Sequence, residues 1–172
     1  MKQTNESMQV FKLKLPTPFP VGDVNVYLIK GDQLTLVDAG PKTEQAWLSL
    51  QAQLKEIGYT PKDIEQIVIT HHHPDHVGML DYFSEEVQVL GHRLTKPWLK
   101  KDQQFMSEQT LFFEKLLIEF GVDKKFLPYL AKLNDTFEFS CERDLKCFIG
   151  EGDEVNGLTG WRVLVTPGHA QS

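Results

Sequence analysis

The alternation of apolar and polar positions organises the first seventy residues. Val10, Phe11, Leu13 and Leu15 predict a first strand that stops at the proline-rich segment PTPFP, residues 16–20. Residues 24–30 (VNVYLIK) and 34–37 (LTLV) flank Gly31-Asp32-Gln33, whose turn residues predict a hairpin. The period then lengthens. Ala46, Trp47, Leu50, Leu54 and Ile57 recur at helical spacing, with Thr43 placed to cap the helix and Gly58 to end it. After Pro61-Lys62-Asp63, residues 65–70 carry the apolar run Ile67-Val68-Ile69 and predict a buried strand. Strand, helix, strand is a crossover unit, so the fold class is α/β and sites are expected at the carboxyl ends of the strands.

Further along, residues 77–83 predict a short helix and residues 87–90 another strand, ending at Gly91-His92. From Leu94 to Leu133 helical periodicity returns, broken by Gly121 and Pro128. It predicts two or three inserted helices with an amphipathic core segment over 108–120. Phe105, Leu111, Phe112, Leu116, Leu117 and Phe120 in this insertion either pack on the domain and on each other or form a substrate lid or a dimer face. The last third reads as short strands at 146–149 and 161–165, the second leading into Thr166-Pro167-Gly168-His169. The polar residues up to Ser7 are expected to fray.

Composition narrows the setting. A chain of 172 residues with 41% hydrophobic content can bury one substantial core, so a single domain over 1–172 is expected. A net charge of -6 argues against a nucleic-acid backbone or an anionic membrane surface as partner and favours a small-molecule substrate. No apolar run approaches the roughly 20 residues needed to span a bilayer. No secretory signal precedes the first strand, and a cytoplasmic location is expected. Cys141 and Cys147 have neither redox nor zinc spacing and read as plain thiols, although a hairpin could bring them together.

The chemistry concentrates in THHHPDHVG, residues 70–78, which holds four of the six histidines and an aspartate. Pro74 prevents the preceding strand from continuing, so the cluster sits on a loop at a strand's end. On an extended backbone His71 and His73 point to one side and can reach one cation. His72 points the other way and is expected to be buried. Asp75 and His76 follow after a bend. Neutral imidazoles with a carboxylate suit zinc and other borderline metals, and three protein ligands plus a water is the arrangement of a catalytic zinc, whose water has a pKa of about 7. An affinity tag would be terminal and would lack the strand before it.

Asp38 in LVDAG, His71, His73, Asp75 and His76 in THHHPDHVG, and His169 in VTPGHAQS resemble, in order, the first three motifs of the metallo-β-lactamase superfamily, over residues 34–172. The resemblance implies an αββα sandwich with two metal sites at the edge of its sheets. By it, His71, His73 and His169 hold the first metal, Asp75 and His76 contribute to the second, and Asp38 supports the loops. The THHHPDH form is similar to the glyoxalase II branch and its generic relatives, although the insertion lengthens the span from His76 to His169. The implied activity is metal-dependent hydrolysis, a metal-bound hydroxide attacking an ester, thioester, lactone or related bond, with Asp75 handling the proton. Zinc is the expected metal, two ions in a complete enzyme, with iron or manganese as substitutes. A complete member continues into a second half that brings a bridging aspartate and a further histidine. This chain is therefore expected to hold the first half of the sandwich plus the insertion at about 94–133, and to cover its exposed sheet face by forming a homo-oligomer. The competing reading is a non-catalytic metal-binding or interaction module, inactive because half of the site is missing.

Overall fold

Alternating burial in the first strand sets the orientation of everything that follows. In a computed structural model, which describes residues 8–128 and 135–171, β1 (Gln9–Leu15) buries Leu13 and Leu15 and turns Lys12 and Lys14 outward. It pairs antiparallel with β2 (Val24–Lys30), from Gln9 opposite Lys30 to Leu15 opposite Val24. The expected hairpin then joins β2 to β3 (Leu34–Val37), again antiparallel. Helix α1 (Glu44–Glu56) starts where Thr43 accepts a hydrogen bond from the Ala46 amide at 3.1 Å, and it ends at Ile57 and Gly58, whose φ of 86° places it in the left-handed region that favours glycine. Ala46, Leu50 and Leu54 lie on its buried stripe.

The helix returns the chain to β4 (Gln66–Ile69), parallel to β3, and β5 (Gln88–Gly91) and the two-residue β6 (Cys147–Phe148) extend the same sheet in parallel. Strand order follows chain order, β1 to β6. One sheet face packs against α1 through Leu13, Leu15, Val26, Leu28, Leu36, Ile67 and Val89. The other carries Ile29, Val37 and Val68 under a loop that contributes Val155 and Leu158. On that second face the buried Gln66 amide donates to Thr35 Oγ1 at 2.7 Å and to the Asn156 carbonyl at 2.6 Å, tying the loop to the middle of the sheet. Cys141 is a buried free thiol and Cys147 an exposed one.

Three expectations are revised. The helix placed over 77–83 begins earlier, as α2 (Pro74–Val77), followed by a 3-10 turn over Leu80–Tyr82. Proline at a first helical position gives up an N–H that would have had no intrahelical partner. The strand expected over 161–165 does not join the sheet. Its amides bond back to the 150–155 turn, Val163 N–H to the Asp153 carbonyl at 2.9 Å, with one isolated bridge between Glu154 and Arg162. A strand needs a neighbour for its backbone groups, and the described sheet ends at β6. The segment taken as an amphipathic core is at most half-buried: after α3 (Lys96–Leu99), helix α4 (Gln103–Glu119) has no fully buried residue. Residues 1–7 and the 129–133 end of the insertion lie outside the described residues.

Candidate metal centre

The loops that follow β3 and β4 leave the sheet side by side, and Asp38 joins them. At the end of β3 its backbone has a φ of 61°, a left-handed conformation that aspartate tolerates better than most residues. Its amide donates to the Val68 carbonyl at 2.9 Å. Its carboxylate accepts from the Thr70 amide, the Thr70 hydroxyl and His76 Nδ1, each at 2.8 Å. The side chain is buried, and the sequence expectation of a loop support describes it.

Because the single hydroxyl hydrogen of Thr70 goes to Asp38, the Thr70 oxygen is left to accept from His71 Nδ1, 2.9 Å away. That bond assigns the proton of a neutral His71 ring to Nδ1 and turns the Nε2 lone pair towards its neighbours. His71 Nε2 lies 3.1 Å from His73 Nδ1, which lies 3.0 Å from His169 Nε2. One ring nitrogen from each of His71, His73 and His169 falls within 4.8 Å of the other two, an arrangement that could hold a metal ion. His169 reaches this point from the far end of the chain through Gly168, whose φ of 149° suits glycine.

Burial, reinforced by His76, His73 and His169, pushes the His71 imidazole down to about 3. Burial and then His169 lower His73 as well. Both rings are therefore neutral at pH 7, the form that donates a lone pair to a metal. Three nitrogens facing one point, with no carboxylate or hydroxyl among them to satisfy their lone pairs, fit a divalent ion by donor type and by convergence.

Asp75 and His76, also expected as ligands, are not part of that cluster. His76 is clamped between Asp38 at Nδ1 and Asp75, 3.4 Å from Nε2. Burial alone would depress this ring, but the hydrogen bonds to Asp38 and Asp75 carry it up to about 9. Burial would likewise raise Asp75, yet the His76 contact holds its carboxyl below the usual range. The His76 ring stays 4.1 Å from that of His71, so the pair adjoins the triad. His72 turns away from it, as its position between His71 and His73 predicted. It is 8% exposed and stacks on Trp98, with ring centroids 4.1 Å apart and planes 10° from parallel.

Sequence reasoning overlooked Thr70 and Trp98. Thr70 could have been found from its place between the buried strand and the histidines, whereas nothing in the local pattern marks Trp98. It also missed a cleft of about 580 Å³ beside the triad, lined by His73, Gly168 and His169 together with Trp98, Met106 and Phe113.

Comparison with known proteins gives the family. The model of the Metallo-beta-lactamase superfamily matches residues 19–172. The chain belongs to that superfamily. A probable metallo-hydrolase, YqjP, of Bacillus subtilis is 49% identical over 163 residues, which are 95% of this chain and 51% of that protein. The metallo-beta-lactamase family protein TTHA1429 of Thermus thermophilus superposes with a TM-score of 0.71 and 27% identity, covering 94% of this chain and 53% of that one. BJP-1, a subclass B3 metallo-beta-lactamase of Bradyrhizobium japonicum, shares the fold, with a TM-score of 0.59 at 20% identity over 94% of this chain and 53% of that one. The chain thus spans about half the length of these metallo-β-lactamase relatives. Membership implies divalent metal ions, and the triad is a donor set that fits them.

Proposed function

We propose that this chain supplies the first metal site and the substrate-facing loops of a metal-dependent hydrolase acting on a small molecule with an ester, thioester, lactone or related bond. The observation that carries the proposal is the convergence of His71, His73 and His169. In this reading those three residues hold a first ion, zinc by preference, although iron and manganese accept the same donors. A bound ion would supply Lewis acidity and bring the pKa of a coordinated water to about 7. Asp38 and Thr70 keep His71 in its ligating tautomer. Asp75 and His76, beside the triad, orient the attacking water or contribute to a second ion, and Asp75 accepts the proton that hydrolysis releases. The similarity to a probable metallo-hydrolase supports the reaction class. A cytoplasmic setting belongs to the same reading.

The test combines metal content with turnover. Elemental analysis of the chain loaded with zinc, and competition titration of the single variants His71→Ala, His73→Ala, His169→Ala and His72→Ala, should show tight binding lost in the first three and kept in the last. Zinc held equally well without His169 would sink the site. A panel of ester, thioester, lactone and phosphodiester substrates, applied to this chain and to any longer form, then separates a hydrolase from a binding module. The clamped Asp75 and His76 pair is the observation that favours the module. A longer form that carries its metals and cleaves nothing would decide for it. An Asp75→Ala variant of an active form that keeps its turnover would remove Asp75 from the mechanism.

A further inference from the structure

Helix α4 has no fully buried residue, yet it carries a coherent stripe. Met106, Gln109, Thr110 and Phe113, spaced i, i+3, i+4 and i+7, share one helix face, and all four line the cleft over the triad. A floor of flat rings, His72, Trp98 and Phe137, lines the same cleft. His72 stacks on Trp98, and Trp98 lies nearly parallel to Phe137 at 5.7 Å and 17°, while Phe105 meets the Trp98 edge at 5.0 Å. No aspartate, glutamate, lysine or arginine lines this cleft among the described residues. Its volume, about 580 Å³, is that of a small-molecule site, and it shares His73 and His169 with the triad. Phe112 and Phe113, 56% and 44% exposed, hold apolar surface open to solvent at its mouth.

We propose that this cleft takes an uncharged apolar arm of the substrate, an alkyl chain or an aryl ring attached to the scissile carbonyl. The proposal rests on the hydrolase reading and adds the substrate class to it. A phosphate or carboxylate arm would enter a wall with no cation to receive it and would lose its hydration without compensation. A hydrocarbon arm gains by leaving water and covers Phe113, Met106 and the Trp98 floor. In the cleft such an arm brings its own carbonyl towards His73 and His169, which the cleft shares with the triad. Hydrolysis of the ester consumes one water: the acyl–oxygen bond breaks, the hydroxyl joins the acyl carbon, and the alcohol leaves with the remaining proton.

Binding can be measured without metal or turnover. The chain is loaded with the fluorescent apolar probe 1-N-phenylnaphthylamine, which is then displaced by straight-chain alcohols from butanol to decanol. Displacement should tighten about fourfold per added methylene until the cleft is full. Phe113→Gln should weaken the longer alcohols by about tenfold. Leu111→Gln, on an exposed residue of the same helix outside the cleft, should leave them unchanged, and zinc titration of both variants should match the parent chain. The proposal is overturned by displacement that ignores chain length, by equal losses in the two variants, or by a carboxylate or alkyl phosphate that binds more tightly than the alcohol of the same length. A protein that cleaves esters but shows no chain-length dependence loses only this inference. One that binds decanol in the cleft but holds no metal loses only the hydrolase reading.

Discussion

Asp38 ties the loops after β3 and β4 together through its carboxylate. It accepts three hydrogen bonds while buried, and two of them come from Thr70, the residue that orients His71. Asp38→Ala should therefore cost about 3 kcal/mol or more in urea unfolding, because it strips the His76 ring of its buried partner. Asp38→Asn, which tolerates the same backbone conformation, should cost less. Gly78 is constrained differently. A Cβ there would press on the backbone of Lys42 and Phe139 and lie 2.7 Å from the Pro41 carbonyl carbon. Gly78→Ala should thus destabilise by about 1–3 kcal/mol, as overpacking does, even though its backbone angles suit alanine. The two thiols should separate under a thiol reagent at pH 8. Burial pushes the Cys141 thiol up to about 11, so it has almost no thiolate at that pH and reacts only on unfolding, whereas the exposed Cys147 reacts at once.

Helices α1 and α4 show what amphipathicity does and does not specify. Both have apolar residues at helical spacing. In α1 the stripe meets the sheet, and Trp47 adds edge-on contacts with Tyr82 and Phe83 at 5.1 and 5.4 Å. Its stability then depends on local details such as the cap. Thr43→Ala should lower the unfolding free energy by about 1 kcal/mol, and Thr43→Ser should restore most of it. In α4 the periodicity is as regular, yet the helix touches the rest of the described chain mainly at α3 and the Trp98 floor. The period of a helix reveals which face is apolar but not what that face meets. An apolar face beside a candidate metal-binding triad is a candidate wall for substrate as much as a piece of core.

For the whole chain, the sheet is covered by α1 on one face and only partly by the 150–165 loop on the other. Tyr27, Trp161 and Leu164 keep 38%, 40% and 74% of their surface exposed. Exposed apolar surface of this kind favours association. The 172-residue chain should sediment as a dimer or larger species at micromolar concentration, and Leu164→Glu should shift it towards monomer. A clean monomer at that concentration would count against a second copy covering this face.

Strands β1 to β5, helix α1 and the histidine loop were legible from the sequence because their determinants are local: alternation, helical period, a capping threonine, a stop glycine, a proline inside the loop. Alternation also separated His72 from His71 and His73. The donor types of a candidate metal site were readable for the same reason, and the motif resemblance pointed to His169. Only the tertiary structure decided that His169 meets His71 and His73 across 96 positions, that Asp38 holds both loops through Thr70 and His76, and that His72 rests on Trp98. It also decided that residues 161–165 stay out of the sheet and that α4 stands open over the cleft. Local sequence sets which conformations and which faces are favourable. Which faces and side chains meet depends on contacts between segments far apart in the chain, and those form only when the whole core closes around them.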